Sequence, residues 1–229
     1  MTVVFIHGAG GSSNVWRLQT LHFKSSCAIE LQGHPVGSGL TSIEEYAQTV
    51  SDYVQQTNVS NPVFVGHSMG GAIAIDLALR YPSVRALVLV GTGARLRVRP
   101  EFLSAIKSNY EEASKMLASW SVSPTSDQVI AERIAKDLLE VNPGVTLGDF
   151  MACDKFDRMK DVEKIRCQTL VLCGADDKMT PPKYSHYLHE NIKGSKLVIV
   201  PGAGHVVMLE KHRAFNQELE AFLGSLGDS

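Results

Sequence analysis

Apolar residues fall into two rhythms along this chain. Short, largely apolar runs rich in β-branched residues recur at Val3 to Ile6, Cys27 to Leu31, Val63 to Val65, Arg85 to Val90, Thr169 to Cys173 and Leu197 to Val200. Runs of that length, bounded by turn residues, predict strands buried on both faces. Between them, Ile43, Tyr46, Val50 and Val54 recur at spacings of three and four, which predicts a helix from a cap at Thr41 or Ser42 to about Thr57. The Ala/Ile/Leu-rich run from Ala72 predicts a second helix, ending at Arg80 before Pro82. Further helices are expected to start at Thr180 or Pro181 and to run from about Glu210 to Leu223. Six strands with intervening helices predict an α/β fold with an open, mostly parallel sheet, and such sheets carry their sites at strand C-terminal ends.

The alternation breaks once. From about Ala94 to Glu163 the pattern is helical and more polar, punctuated by Pro100, Pro124, Pro143 and Gly144. Phe102, Leu103, Ile106, Tyr110, Met116, Leu117 and Trp120 can form the inward face of a small helical cap whose burial stabilises its docking. The expected organisation is a core of residues 1–93 and 164–229 with a helical cap, 94–163, inserted before the last two strands. A chain of 229 residues fits one domain with such an insertion.

Composition narrows the function classes. Hydrophobic residues at 44%, charged residues at 20% and a net charge of −2 are those of an ordinary soluble globular protein. Lys and Arg are scattered except at Arg95, Arg97 and Arg99, a trio expected to be solvated, so no nucleic-acid partner is predicted. No apolar run approaches the roughly 18 residues needed to span a bilayer. The N-terminal stretch has no basic region or small-residue cleavage site, and Cys27, Cys153, Cys167 and Cys173 follow no C-x-x-C spacing. No signal peptide, reduced thiols and a cytoplasmic location are expected. His186 and His189 read as a polar helix face, so no metal is expected.

The loop His7-Gly8-Ala9-Gly10-Gly11 lacks the signatures of a P-loop or a dinucleotide fold. It is expected either to bring backbone N–H groups close to a ligand or merely to start a helix at Ser12 or Ser13. Gly66-His67-Ser68-Met69-Gly70-Gly71 lies between a strand and a helix and contains Gly-x-Ser-x-Gly, the nucleophile elbow. The remaining strand ends carry Asp176-Asp177 and His205, giving Ser, Asp, His in chain order. Ser68 needs a base to become nucleophilic, which His205 can supply. A carboxylate, Asp176 or Asp177, would then fix the imidazole tautomer. Backbone N–H groups of Met69 and of Ala9, with Gly10 as substitute for Ala9, are the expected oxyanion donors.

Those motifs, together with Gly-Ala-Asp-Asp followed by Pro181 and Gly-Ala-Gly-His near the end, resemble the α/β-hydrolase fold family, in particular serine-nucleophile carboxylesterase-like members with a helical cap. The resemblance implies that the acid stands three residues after Gly174 and four before Pro181, which selects Asp177. It implies scaffold roles for His7 and His67. It also places the first strand here at the family's third, as in a minimal member. The family's loop after the next strand usually reads Asp-x-Pro-Gly-His-Gly-x-Ser, whereas Glu30 to Ser38 here departs from it, altering one pocket wall.

The implied activity is hydrolysis of small carboxylic esters through an acyl-enzyme, with a small-molecule ester as partner and neither metal nor cofactor. Met69, Met179 and Val206 next to the catalytic positions suggest an apolar acyl pocket, with Trp16 and Trp120 as further candidates. Two alternatives share the constellation: C–C bond hydrolysis or a lyase step with proton abstraction by His205, and a small-molecule receptor with vestigial hydrolase activity.

Overall fold

The computed structural model describes residues 1–227. Six strands form one wholly parallel sheet: β1 (Val3–Ile6), β2 (Ser26–Ile29), β3 (Val63–His67), β4 (Ala86–Val90), β5 (Gln168–Gly174) and β6 (Lys196–Val200), in the order β2-β1-β3-β4-β5-β6. Every residue of β1, β3 and β4 is buried, as their unbroken apolar runs require. β2 ends two residues earlier than its apolar run suggests, because the Leu31 N–H leaves the ladder and donates to His7 Nε2 at 3.2 Å.

Helices cover both faces. α2 (Ile43–Gln56), α3 (Met69–Arg80) and α8 (Pro182–Asn191) pack on one, burying Tyr46, Ile73, Leu77 and Leu188. α1 (Arg17–His22), α9 (Val207–Glu210) and α10 (His212–Ser225) follow the other, where Trp16, Phe215 and Leu219 meet Phe5 and Val65. Of the two candidate caps for α2, Ser42 is used: its hydroxyl accepts the Glu45 N–H at 3.2 Å, and Glu45 reaches back to the Thr41 N–H at 3.3 Å. The single C-terminal helix expected from Glu210 is two, beginning at Val207 and interrupted at Lys211.

The inserted helices are α4 (Pro100–Ser108), α5 (Tyr110–Ser121), α6 (Gln128–Glu140) and α7 (Pro143–Lys155). They share a separate apolar cluster around Phe102, Ile106, Leu117, Leu138 and Phe150. Both ends of the insertion, however, belong to the main core, through Ala94 and Leu96 at one end and Cys153, Phe156 and Val162 at the other. α7 therefore serves two clusters, and burying a side chain such as Phe156 contributes about 1.5–3 kcal/mol to fastening it. All four cysteines are free. Among the described residues no helix is long and apolar enough to cross a membrane.

Strand order reverses between β1 and β3, since β2 lies outside β1 and β4 outside β3. The crevice at the C-terminal ends of those two strands is where open α/β sheets bind ligands. The loop beginning at His7 and the turn at Ser68 meet there.

Candidate active site

Ser68 occupies the turn from β3 to α3 with φ 53° and ψ −116°, a conformation that L-residues adopt only under constraint. The constraint is visible. A Cβ at position 66 would stand 2.1 Å from the Gly70 carbonyl oxygen, and one at position 70 would stand 2.3 Å from that of Ile6, so only glycines let the turn close against β1. The Ser68 N–H donates to the Val90 carbonyl at 2.9 Å, and its carbonyl accepts from the Gly71 N–H at 2.9 Å and the Thr92 hydroxyl at 2.8 Å. Its own hydroxyl makes no helix-capping bond.

His205 follows β6 and is nearly buried. Its Nδ1 lies 2.9 Å from Asp177 Oδ2. The Asp177 carboxylate is held by three further bonds: Oδ1 accepts the N–H groups of Met179 at 2.9 Å and Thr180 at 2.8 Å, and Oδ2 accepts the Thr180 hydroxyl at 2.8 Å. Burial opposes its charge, but the attraction of His205 and these hydrogen bonds outweigh burial and hold the carboxyl below its ordinary value. Asp176 points elsewhere, accepting the Ser123 hydroxyl at 2.6 Å. The two adjacent acids are thus divided between an imidazole and the insertion.

The insertion also holds the histidine loop. The carbonyl of Ser121, the last residue of α5, accepts the His205 N–H at 2.8 Å, and the Glu210 carboxylate accepts from Gly204 N at 2.8 Å and Ser123 N at 2.7 Å. His67 Nε2–H donates to the His205 carbonyl at 3.1 Å. Burial, followed by electrostatic repulsion between its ring and that of His205, keeps His67 well below the usual imidazole range, so it is a neutral brace. His7 is equally buried, with its Nδ1–H donating to the Gly8 carbonyl at 2.9 Å.

Ala9, Ser68, Met179, His205 and Val206 line one cavity. Its remaining wall is mostly apolar: Leu117, Ile134, Leu138 and Phe150 come from the inserted helices, and Val15 and Leu209 from the sheet side. Met69 contributes no side chain there, being fully buried in the core beneath α3, which leaves its backbone N–H at the start of that helix. Two expected pocket residues lie off the wall. Trp16 is fully buried against Phe5 and Phe215, with ring centroids at 4.9 Å and 5.9 Å, because its large apolar surface fills the space under α10. Trp120 packs edge-on to Phe102 at 4.9 Å and beneath the Arg99 guanidinium at 5.9 Å, among the helices between β4 and β5.

Asp137, a half-buried acid of α6, is the one carboxyl group among the described residues lining the cavity and was not among the sequence candidates. Burial pushes its carboxyl up from the ordinary value, with Glu140 adding to that and Arg133 and Lys136 opposing it. Helical periodicity marked the insertion as amphipathic without showing which face turns toward Ser68.

The sequence profile of the alpha/beta hydrolase family matches residues 3–218, the whole sheet and everything inserted in it. The chain belongs to the alpha/beta hydrolase family. Among its relatives within that family is a pimeloyl-[acyl-carrier protein] methyl ester esterase of Neisseria meningitidis serogroup C, 29% identical, with 93% of this chain and 90% of the relative covered. A putative 2-succinyl-6-hydroxy-2,4-cyclohexadiene-1-carboxylate synthase of Bacillus subtilis is also 29% identical, with 98% and 90% covered. The structure of a thermophilic esterase superposes with a TM-score of 0.87 at 39% identity, covering 99% of this chain and 90% of that one. This hydrolase is accordingly an esterase-like member of the family.

Proposed function

We propose that this hydrolase cleaves small carboxylic esters by way of an acyl-enzyme on Ser68. The observation that carries the reading is the 2.9 Å contact between His205 Nδ1 and Asp177 Oδ2, made at the edge of the cavity onto which the strained Ser68 opens. With Nδ1 committed to Asp177, Nε2 is the ring nitrogen left to take a proton from the Ser68 hydroxyl. The serine oxygen attacks the ester carbonyl as that proton moves to His205, and Asp177 stabilises the resulting imidazolium. The imidazolium returns the proton to the departing alkoxide, which leaves as the alcohol. Water then repeats the sequence on the acyl-enzyme, releasing the acid and restoring Ser68. The backbone N–H groups of Ala9 and Met69 are assigned to the developing oxyanion, where a single donor is typically worth about 3 kcal/mol of transition-state stabilisation. Neither metal nor cofactor enters any step.

The partner is a small ester with an apolar acyl part, in keeping with the Leu117, Ile134, Leu138, Phe150 and Val206 wall. The product named for the Bacillus subtilis relative carries more than one carboxylate, and the cavity here offers such a molecule Asp137 and no Lys or Arg among its described lining residues. That charge balance favours ester cleavage over the lyase alternative. Four unpaired thiols fit a reducing compartment, and we assign the cytoplasm.

Labelling with an alkyl phosphonate ester followed by peptide mass spectrometry tests the nucleophile directly. A single adduct on Ser68 is expected; an adduct on any other residue, or none under conditions in which the protein hydrolyses esters, would overturn the assignment.

A further inference from the structure

The ester-hydrolysis reading leaves one buried polar cluster without a task. Asp149, on α7, is fully buried, as is Tyr46 on α2, and the His34 side chain beside them is shielded from solvent. Asp149 Oδ2 accepts the Gly10 N–H at 2.8 Å and lies 2.8 Å from His34 Nε2, while Oδ1 accepts the Tyr46 hydroxyl at 2.6 Å. The other His34 nitrogen, Nδ1, faces the Gln32 carbonyl at 3.3 Å. Both ring nitrogens therefore point at acceptors, the arrangement of a protonated imidazole paired with a carboxylate. The Tyr46 oxygen completes the set by accepting the Leu40 N–H at 3.0 Å. Buried networks satisfied at every atom hold their members in one geometry, because breaking any bond strands a desolvated polar group.

The element that this network grips is the loop after β1. Gly10 sits at φ +63°, and on its other side a Cβ would meet Leu138 and Thr146 side chains at 2.9 Å, so α6 and α7 confine it from two directions. Its N–H is engaged by Asp149, and the Gly11 N–H is engaged by the Gly8 carbonyl at 3.2 Å. The Ala9 N–H, between Gly8 and Gly10, has no hydrogen-bond partner among the described residues and lies on the cavity wall, where it can serve a ligand.

We infer that Asp149 is a positioning residue for the proposed ester hydrolysis, fixing the oxyanion loop through the Gly10 N–H so that the Ala9 N–H is the loop's donor to the transition state, with His34 and Tyr46 holding the carboxylate in place. The inference rests on the hydrolase reading and adds to it a role for the insertion: α7 sets the geometry of the reacting site as well as covering it. Donors aimed at developing charge act only if they need not reorganise, and a misplacement of about 1 Å can cost about 100-fold in rate.

The test compares wild-type protein, first shown to hydrolyse a p-nitrophenyl ester that Ser68→Ala does not, with Asp149→Ala and Asp149→Asn. For each, kcat, KM and the inhibition constant of an alkyl boronic acid, which mimics the tetrahedral intermediate, are measured alongside circular dichroism. Asp149→Ala is expected to lower kcat about 10- to 100-fold and to weaken boronic acid inhibition by a similar factor, with KM little changed. Asp149→Asn, whose single acceptor oxygen cannot serve Gly10, His34 and Tyr46 together, is expected to fall between the two and carries the test if the alanine variant does not fold. A folded variant with wild-type kcat and wild-type boronic acid affinity overturns the role, as does one that loses only thermal stability. In the wild-type protein itself, the Gly10 amide is expected to exchange slowly with solvent deuterium; exchange at the rate of an exposed loop amide overturns the inference without any variant. Absence of ester turnover in the wild type would instead defeat the hydrolase reading beneath it.

Discussion

Gly91 packs directly against His205: a Cβ built at position 91 would lie 3.2 Å from His205 Nδ1 and 3.3 Å from Asp177 Oδ2. Gly91 follows β4 at φ +50°, with its N–H donating to the Leu172 carbonyl at 2.9 Å. Position 91 is thereby both a turn and the floor of the imidazole–carboxylate pair. Gly91→Ala is expected to cost about 1 kcal/mol of stability from the left-handed backbone alone. It should also lower kcat by more than that loss explains, because the new methyl displaces His205 or Asp177. Steady-state kinetics beside thermal unfolding check this; unchanged kcat in a destabilised protein would show that the contact has no bearing on the pair.

Asp176 and Asp177 separate cleanly by what they touch. Asp177→Asn is expected to reduce kcat by about 10⁴, since the amide favours the wrong imidazole tautomer. Asp176→Asn, which alters only the link to Ser123, should retain most of the activity. Kinetics of the two purified variants decide the matter, and equal losses would contradict the division of roles.

The His34–Asp149 pair makes stability depend on pH. Burial opposes the His34 charge, but the Asp149 hydrogen bond and negative charge outweigh it, and the imidazole is held above its ordinary value. A raised folded-state value means that the stabilisation is complete below the unfolded imidazole value of about 6.5 and is lost as pH rises through the folded one. The groups around it are Asp149, the Tyr46 hydroxyl and the ring of His7 at 4.8 Å. Denaturant unfolding from pH 6 to 9 should therefore show a falling limb in the wild type that His34→Gln flattens; identical slopes would remove the pair from the account.

Asp137 is expected to select against anionic acyl groups. A charge at the cavity wall, where water is partly excluded, repels a like charge by on the order of 1–2 kcal/mol. Asp137→Ala should then raise kcat/KM for a hemisuccinate ester by about ten-fold relative to a neutral butyrate ester, equivalent to ~1.4 kcal/mol. Parallel assays of both substrates on both proteins measure it, and an unchanged ratio would show that the acyl chain never approaches Asp137.

The strands and the elbow were legible because β1, β3 and β4 are buried on both faces and read as unbroken apolar runs, and because the Gly66 and Gly70 positions are imposed by backbone contacts of the turn with itself and with β1. Trp16, a candidate for the acyl pocket, lies in the core instead, because a large apolar side chain declares that it will be buried and not whether it faces a cavity or the core. Tyr46 shows the same limit, since it takes its place in the apolar stripe of α2 while its hydroxyl bonds Asp149 across 103 positions of sequence. The choice between Asp176 and Asp177 depends on backbone direction in a turn, which composition does not encode. The boundaries of the insertion were the least visible, because Cys153 on its last helix and Phe156 just beyond that helix complete the main core.

The central claim is that Ser68, activated through His205 and Asp177, makes this cavity a site of ester hydrolysis. Turnover of a short-chain p-nitrophenyl ester by the wild-type protein, with Ser68→Ala assayed at the same concentration and shown to be folded, tests it most directly. Wild-type turnover at least about 10³-fold above the variant is the predicted result; turnover by the wild type at the level of Ser68→Ala would contradict it.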